Sequence, residues 1–144
     1  MADPLSVMAT IAGITVPALH CVRLLASDIR KIADAPSVIA ELRSDLLALD
    51  NNLQSLQSIK DEEWAMLGFT VAGNTTIAVE SCSKACEAFR SDLQRWTKRS
   101  RDGKLSWRDC TNIGFFKERQ IRAMNEQMQS CKGTFTNIVA TATL

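Results

Sequence analysis

The 144-residue sequence holds a single histidine, His20, and no pair of cysteines at the C-x-x-C spacing of zinc ribbons or redox sites. A Cys–His or Ser–His nucleophilic pair could use only His20, which stands in an apolar segment. The phosphate-cradling GxxxxGK[ST] and GxGxxG loops, the GxSxG elbow and the HExxH zinc helix are all missing. These absences point away from an enzyme; no catalytic residue, metal ligand or cofactor is expected. Charge imbalance is missing too, because 17 basic residues face 16 acidic ones for a net charge of +1. No global field draws in nucleic acid, so an electrostatic partner has to be sought in a local cluster.

Other things are scarce in ways that matter. Cysteines number five, an odd count: Cys21, Cys82, Cys86, Cys110 and Cys131. They read as small core residues of a reducing cytosol, since a zinc site wants more ligands than this spacing supplies. The chain begins Met1-Ala2-Asp3 and its first Lys or Arg is Arg23, so the positive leading region of a secretory signal is missing. An intracellular protein is the expectation. Strand alternation, internal repeats and low-complexity tracts are also absent.

What is present is a globular composition, 46% apolar and 23% charged, in a length that suits one domain over residues 1–144. A first helical segment is expected from about Pro4 to Ala33, with a kink or break near Thr15–Val16 because Pro17 lies inside it. Asp34-Ala35-Pro36 ends it. The second, from about Pro36 to Lys60, places Ile39, Leu42, Leu46, Leu49, Leu53 and Leu56 on one stripe. Residues 61–72 suggest a short helix or ordered turn covering one end of the core. Asn74 or Thr75 is expected to cap a further helix to about Lys98, striped by Ala78, Cys82, Ala85, Phe89, Leu93 and Trp96. A turn follows, and Ser106-Trp107-Arg108-Asp109 reads as a capping box. The last helix carries Ile121, Met124, Met128, Cys131, Phe135 and Ile138. The fold class predicted is all-α, an up-and-down antiparallel bundle of four long helices plus the possible short one.

Two segments stand apart. From Leu5 to Val22 there is no Asp, Glu, Lys or Arg. Leu5, Met8, Ile11, Ile14, Val16 and Leu19 go round the cylinder, and Ala9, Ala12 and Gly13 are small enough for close helix packing. Such a helix is either the buried strut of the bundle or one that enters a bilayer. Ser6, Thr10 and Thr15 lower its hydrophobicity, so a switchable segment fits better than a constitutive span. The second segment holds Arg95, Lys98, Arg99, Arg101, Lys104 and Arg108 against one acid, Asp102, with Trp96 and Trp107 near its ends. That mixture suits an anionic lipid surface, and equally a solvated turn with its tryptophans in the core.

The opening Met1-Ala2-Asp3-Pro4-Leu5-Ser6, then Ile11-Ala12-Gly13, then Asp34-Ala35-Pro36 before a leucine-striped helix, resembles the HeLo-like (HELL) N-terminal domains of fungal proteins. Cys82, Trp107 after a basic turn, and Lys117-Glu118 extend the match more loosely over nearly the whole chain. The resemblance implies a bundle similar to the executioner domain of the mixed-lineage-kinase-like necroptosis protein. Such domains front STAND/NLR-like receptors or amyloid-signalling proteins. It further implies that oligomerisation releases the first helix, which attacks the plasma membrane and kills the cell. Leu5–Val22, Val22 included, is then the inserting segment, and Arg95–Arg108 the anionic-lipid contact. The implied partners are anionic lipid, further copies of the chain, and a nucleotide-binding or amyloid-motif receptor in cis or trans; nucleic acid is not among them. Residence is cytoplasmic at rest and at the plasma membrane once activated. The alternative implied by the same resemblance is a passive N-terminal oligomerisation adaptor. Because the chain stops at Leu144 with neither receptor module, it is expected to be the front domain of a longer protein.

Overall fold

A computed structural model describes residues 4–32, 35–99, 105–107 and 114–143. The chain is all-helical in architecture, with five helices among the described residues: α1 (Pro4–Arg30), α2 (Ser37–Gln57), α3 (Asp61–Leu67), α4 (Phe69–Trp96) and α5 (Gly114–Ala142). Two three-residue strands, β1 (Thr97–Arg99) and β2 (Leu105–Trp107), pair antiparallel between α4 and α5, with Thr97 opposite Trp107. The segment expected to be a plain turn is therefore partly a small hairpin. Ser106 and Trp107 are strand residues rather than the start of a helix, and α5 is described from Gly114 onward.

The leucine stripe of α2 works as its spacing dictates. Ile39, Leu42, Leu46, Leu49, Leu53 and Leu56 are all fully buried. Each contributes about 1.5–3 kcal/mol by leaving water. The helix starts after Pro36, whose carbonyl accepts from the Ile39 N–H (3.0 Å) and the Ala40 N–H (3.2 Å). The α5 stripe is buried as expected from Ile121 to Ile138. In α4 the buried line runs through Ala72, Thr75, Val79, Cys82, Cys86, Phe89, Leu93 and Trp96. Ala78 and Ala85 only flank it, because Val79 and Cys86 fill the inter-helix space better than a methyl does.

Gly68 decides where α3 ends and α4 begins. Its φ of 88° lies where only glycine is at ease, so the chain breaks there rather than at Gly73. Asn74 and Thr75, expected as caps, lie inside α4; buried Thr75 turns its hydroxyl back to the Val71 carbonyl at 2.7 Å. Asp61, Glu62 and Glu63 occupy the first turn of α3, where the helix dipole favours negative charge, and the Glu63 carboxylate accepts from the Lys60 N–H at 3.0 Å. α1 runs unbroken through Pro17. Thr15 Oγ1 donates to the Ile11 carbonyl at 2.5 Å, one turn back in the stretch that Pro17 deprives of a backbone bond.

α1 packs on α2 and α4; α5 packs on those same two helices from the other side; α3 touches α1, α4 and α5. The cross-helix bonds give the directions. Cys21 meets Ser83 and Glu87, and Asp28 meets Arg90, so α1 and α4 run parallel. Val38, Asp45 and Asn52 meet Asn125, Gln129 and Thr136 in the same order, so α2 and α5 are parallel too. Arg23 meets Asp50 on the antiparallel α1–α2 pair, and Ser81 meets Gln127 on α4–α5. Direction alternates along the chain, yet two of the four lateral contacts are parallel. The α2-to-α4 link crosses the end of the molecule through α3, which sets α4 beside α1 instead of α2.

Candidate functional site

α1 presents two faces. Ile11, Thr15, Ala18, Leu19, Val22, Leu25, Ala26 and Ile29 are buried. Thr10, Ala12, Gly13, Val16, Pro17 and His20 are exposed, Val16 by 60%. Only 39% of the most apolar window of Thr10–Arg30 is buried, and by length and composition the helix could cross a membrane. The predicted inserting residues accordingly divide. Ile11, Leu19 and Val22 belong to the core, Ile14 is half-buried, and Ala12, Gly13 and Val16 face solvent. For Leu5, Met8 and Ala9 the side chains lie outside the described residues.

Polar contacts among the described residues tie α1 to α2 and α4, and spacing alone revealed none of them. The Arg23 guanidinium donates twice to Asp50 (2.8 and 3.1 Å), which holds the Asp50 carboxyl below its usual range. Arg90 Nε donates to Asp28 at 2.6 Å. The Cys21 thiol lies 3.6 Å from the Ser83 hydroxyl and 3.4 Å from a Glu87 carboxylate oxygen, and burial pushes that thiol up. A groove of about 310 Å3 runs between α1 and α4 here, lined among others by His20, Cys21, Cys86, Glu87 and Arg90. On the other side of the molecule Asp45 is buried, accepting from Gln129 Nε2 (3.1 Å to each oxygen) with Lys132 Nζ 3.9 Å away.

Cys82, Cys86 and Cys131 are buried. The hydrogen bond from Cys131 favours the Cys82 thiolate, but Cys86 and burial outweigh it and raise the thiol. Cys131 is raised by its hydrogen bond with Cys82 and by burial. Raised in this way, the Cys82 and Cys131 thiols are poor nucleophiles and poor ligands. Among the described residues no group of three or more His, Cys, Asp or Glu could hold a metal ion.

The basic segment divides as well. Arg95 is exposed and ion-paired with Asp92. Trp96 is buried and meets Phe89 edge-on at 5.7 Å, so it packs in the core instead of waiting for lipid. Lys98 and Arg99 are on β1 and Trp107 on β2, with side chains outside the described residues; Arg101, Lys104 and Arg108 lie outside them altogether. Because α1 and α4 are parallel, the hairpin after α4 lies at the Arg30 end of α1. At ~1.5 Å per residue, it is about 30 Å along the bundle from Gly13. The uncharged half of α1 and the described part of the basic segment stand toward opposite ends of the molecule.

One family model, described as pigment biosynthesis cluster protein PigL N-terminal, matches residues 2–144. No curated protein and no solved structure matches the chain.

Proposed function

We propose that this chain, which belongs to the pigment biosynthesis cluster protein PigL N-terminal family, is a membrane-targeting effector domain of fungal programmed cell death, whose first helix leaves the folded bundle and enters a bilayer. In this reading the fold is an up-and-down four-helix bundle of the HeLo-like kind, standing at the front of a longer protein. The contact ring α1–α2–α5–α4 and the alternating chain direction support it. The observation that carries the functional reading is the outer face of α1. From Thr10 to His20 it offers no Asp, Glu, Lys or Arg, on a helix long and apolar enough to span.

The energetics demand a trigger. Peeling α1 back through Val22 exposes Ile11, Leu19 and Val22, on the order of 5–9 kcal/mol at ~1.5–3 kcal/mol each. That is comparable with the whole stability of a small domain, about 5–15 kcal/mol. Transfer into lipid restores the lost apolar environment, and self-association concentrates it. Stopping at Pro17 is cheaper, but Pro4–Val16 spans only about 20 Å, short of a ~30 Å hydrocarbon core. A spanning helix therefore has to come free past Cys21.

A second reading is a passive oligomerisation adaptor, and the three polar contacts that clamp α1 onto α2 and α4 favour it. Leakage from liposomes containing anionic lipid discriminates the two. Deleting residues 2–22 is a poor test because it removes core side chains. Locking α1 to α4 by a reversible cross-link is a better one: effector activity must vanish when locked and return on release, whereas an adaptor shows no leakage in either state.

A further inference from the structure

α1 carries two weak points within little more than one turn. Pro17 has no N–H to give the Gly13 carbonyl. Gly13 is exposed, so that carbonyl can turn to water as the helix bends. Thr15 Oγ1 donates to the Ile11 carbonyl, the same oxygen that takes the Thr15 N–H in a regular helix, and such back-bonding eases bending. Both features fall between Ile11 and Pro17, so that stretch of α1 resists bending least.

The two sides of this stretch are held differently. The ties to α2 and α4 come from Cys21, Arg23 and Asp28, all after Pro17. Before it, residues 5–16 hold no Asp, Glu, Lys or Arg, so no side chain there can form an ion pair. Burial is uneven as well. After Pro17 the core takes Leu19, Val22, Leu25 and Ile29; among the described side chains before it, Ile11 is the one large apolar group fully buried.

We infer that Pro17 is a hinge, about which residues 4–16 leave the bundle as one piece while residues 18–30 stay clamped. What the motion serves rests on the membrane reading. A half-helix of about 20 Å is too short to span, so it lies in the bilayer interface as the first contact with lipid. The ties at Cys21, Arg23 and Asp28 then hold back the second stage, release through Val22. The hinge itself needs no lipid and is tested without it.

Native-state amide hydrogen exchange of the full chain in lipid-free buffer, resolved by NMR, reads the opening. The first turn is left aside, because its N–H groups have no helical partner. The expected result is one common rate for residues 8–16, about tenfold or more faster than for residues 19–30, with the step at Pro17. Pro17→Ala, at an exposed position, returns the missing N–H and should slow the first half to the rate of the second. Asp28→Asn/Asp50→Asn weakens both ion pairs and should speed the second half toward the first. Should that pair unfold the domain by its melting curve, Asp50→Asn alone replaces it. Rates that change smoothly along α1 overturn the inference, because they describe a fraying end. A step that Pro17→Ala leaves unchanged overturns it too, as does one common rate along the whole helix. A step at Pro17 without vesicle leakage supports the hinge while the membrane reading fails; leakage by a chain whose α1 opens in one piece sinks the hinge alone.

Discussion

Replacing Ser83 by cysteine places a second thiol opposite Cys21, whose sulfur already lies 3.6 Å from the Ser83 hydroxyl. A disulfide between Cys21 and the introduced thiol would pin α1 to α4 one residue short of Val22. Only a side-chain rotation and a small shift separate the present contact from a bond. The two positions are 62 residues apart, and closing a loop of that size in the unfolded chain is worth about 4 kcal/mol in the chain-entropy description. For a domain of this length about 3 °C accompanies each kcal/mol, so the oxidised form should melt roughly 10–15 °C above the reduced form. Peptide mapping fixes the linkage against pairing with neighbouring Cys82 or Cys86. The functional readout is dye release from vesicles containing anionic lipid. Oxidised Ser83→Cys should leak no more than a protein-free control; the same sample after thiol reduction should match the wild type. Equal leakage from the locked and reduced forms, with the bond from Cys21 to position 83 confirmed, would refute insertion of a helix that extends to Val22. The reduced form serves as its own folding control, which a deletion cannot offer.

Leu46→Ala and Leu49→Ala, both at fully buried positions, should each lose about 2–5 kcal/mol in denaturant unfolding; Glu41→Ala, exposed on the same helix, should stay within about 0.5 kcal/mol of wild type, and similar losses at all three would put the wrong face of α2 inward. Gly68→Ala should cost about 1–3 kcal/mol from its φ of 88° alone, since a Cβ there meets nothing within 4 Å. Gly73→Ala, helical and equally unobstructed, should gain about 0.5–1 kcal/mol, and thermal melts with the same sign at both positions would defeat this assignment of the helix break. The Arg23–Asp50 pair should show in acid: Asp50 has its folded pKa lowered from 3.8, chiefly by the Arg23 hydrogen bond, so its stabilisation is present above that value and lost as pH falls through the lower folded one. The difference in melting temperature between wild type and Asp50→Asn should therefore be steady near neutrality and close below about pH 4; a gap that widens in acid would contradict the pairing.

The helical stripes could be read from the sequence because a 3.6-residue period is written directly in it. Every predicted core residue of α2 and α5 is buried, and the short helix at 61–67 falls inside the predicted 61–72. Where local signals competed, the reading slipped. Asn74 and Thr75 resemble caps, but the helix they were to begin already runs through them, because Gly68 takes the break. Ser106-Trp107-Arg108-Asp109 resembles a capping box, yet Ser106 and Trp107 pair with β1.

The sequence by itself determined an all-helical chain, which residues form the stripes of α2 and α5, and the charge-free stretch from Leu5 to Val22. Those are properties of order along one strand of chain, and neighbours three and four residues apart suffice to set them. Which helices lie side by side, and in which direction, was decided only in the tertiary structure. The parallel placing of α1 and α4 brought Cys21 to Ser83 and Asp28 to Arg90. It turned Val16 outward and set the basic hairpin toward the opposite end of the bundle from the uncharged half of α1. No local pattern encodes such pairings, because they depend on how stripes from segments sixty or more residues apart fit together once the α2-to-α4 link has crossed the end of the bundle.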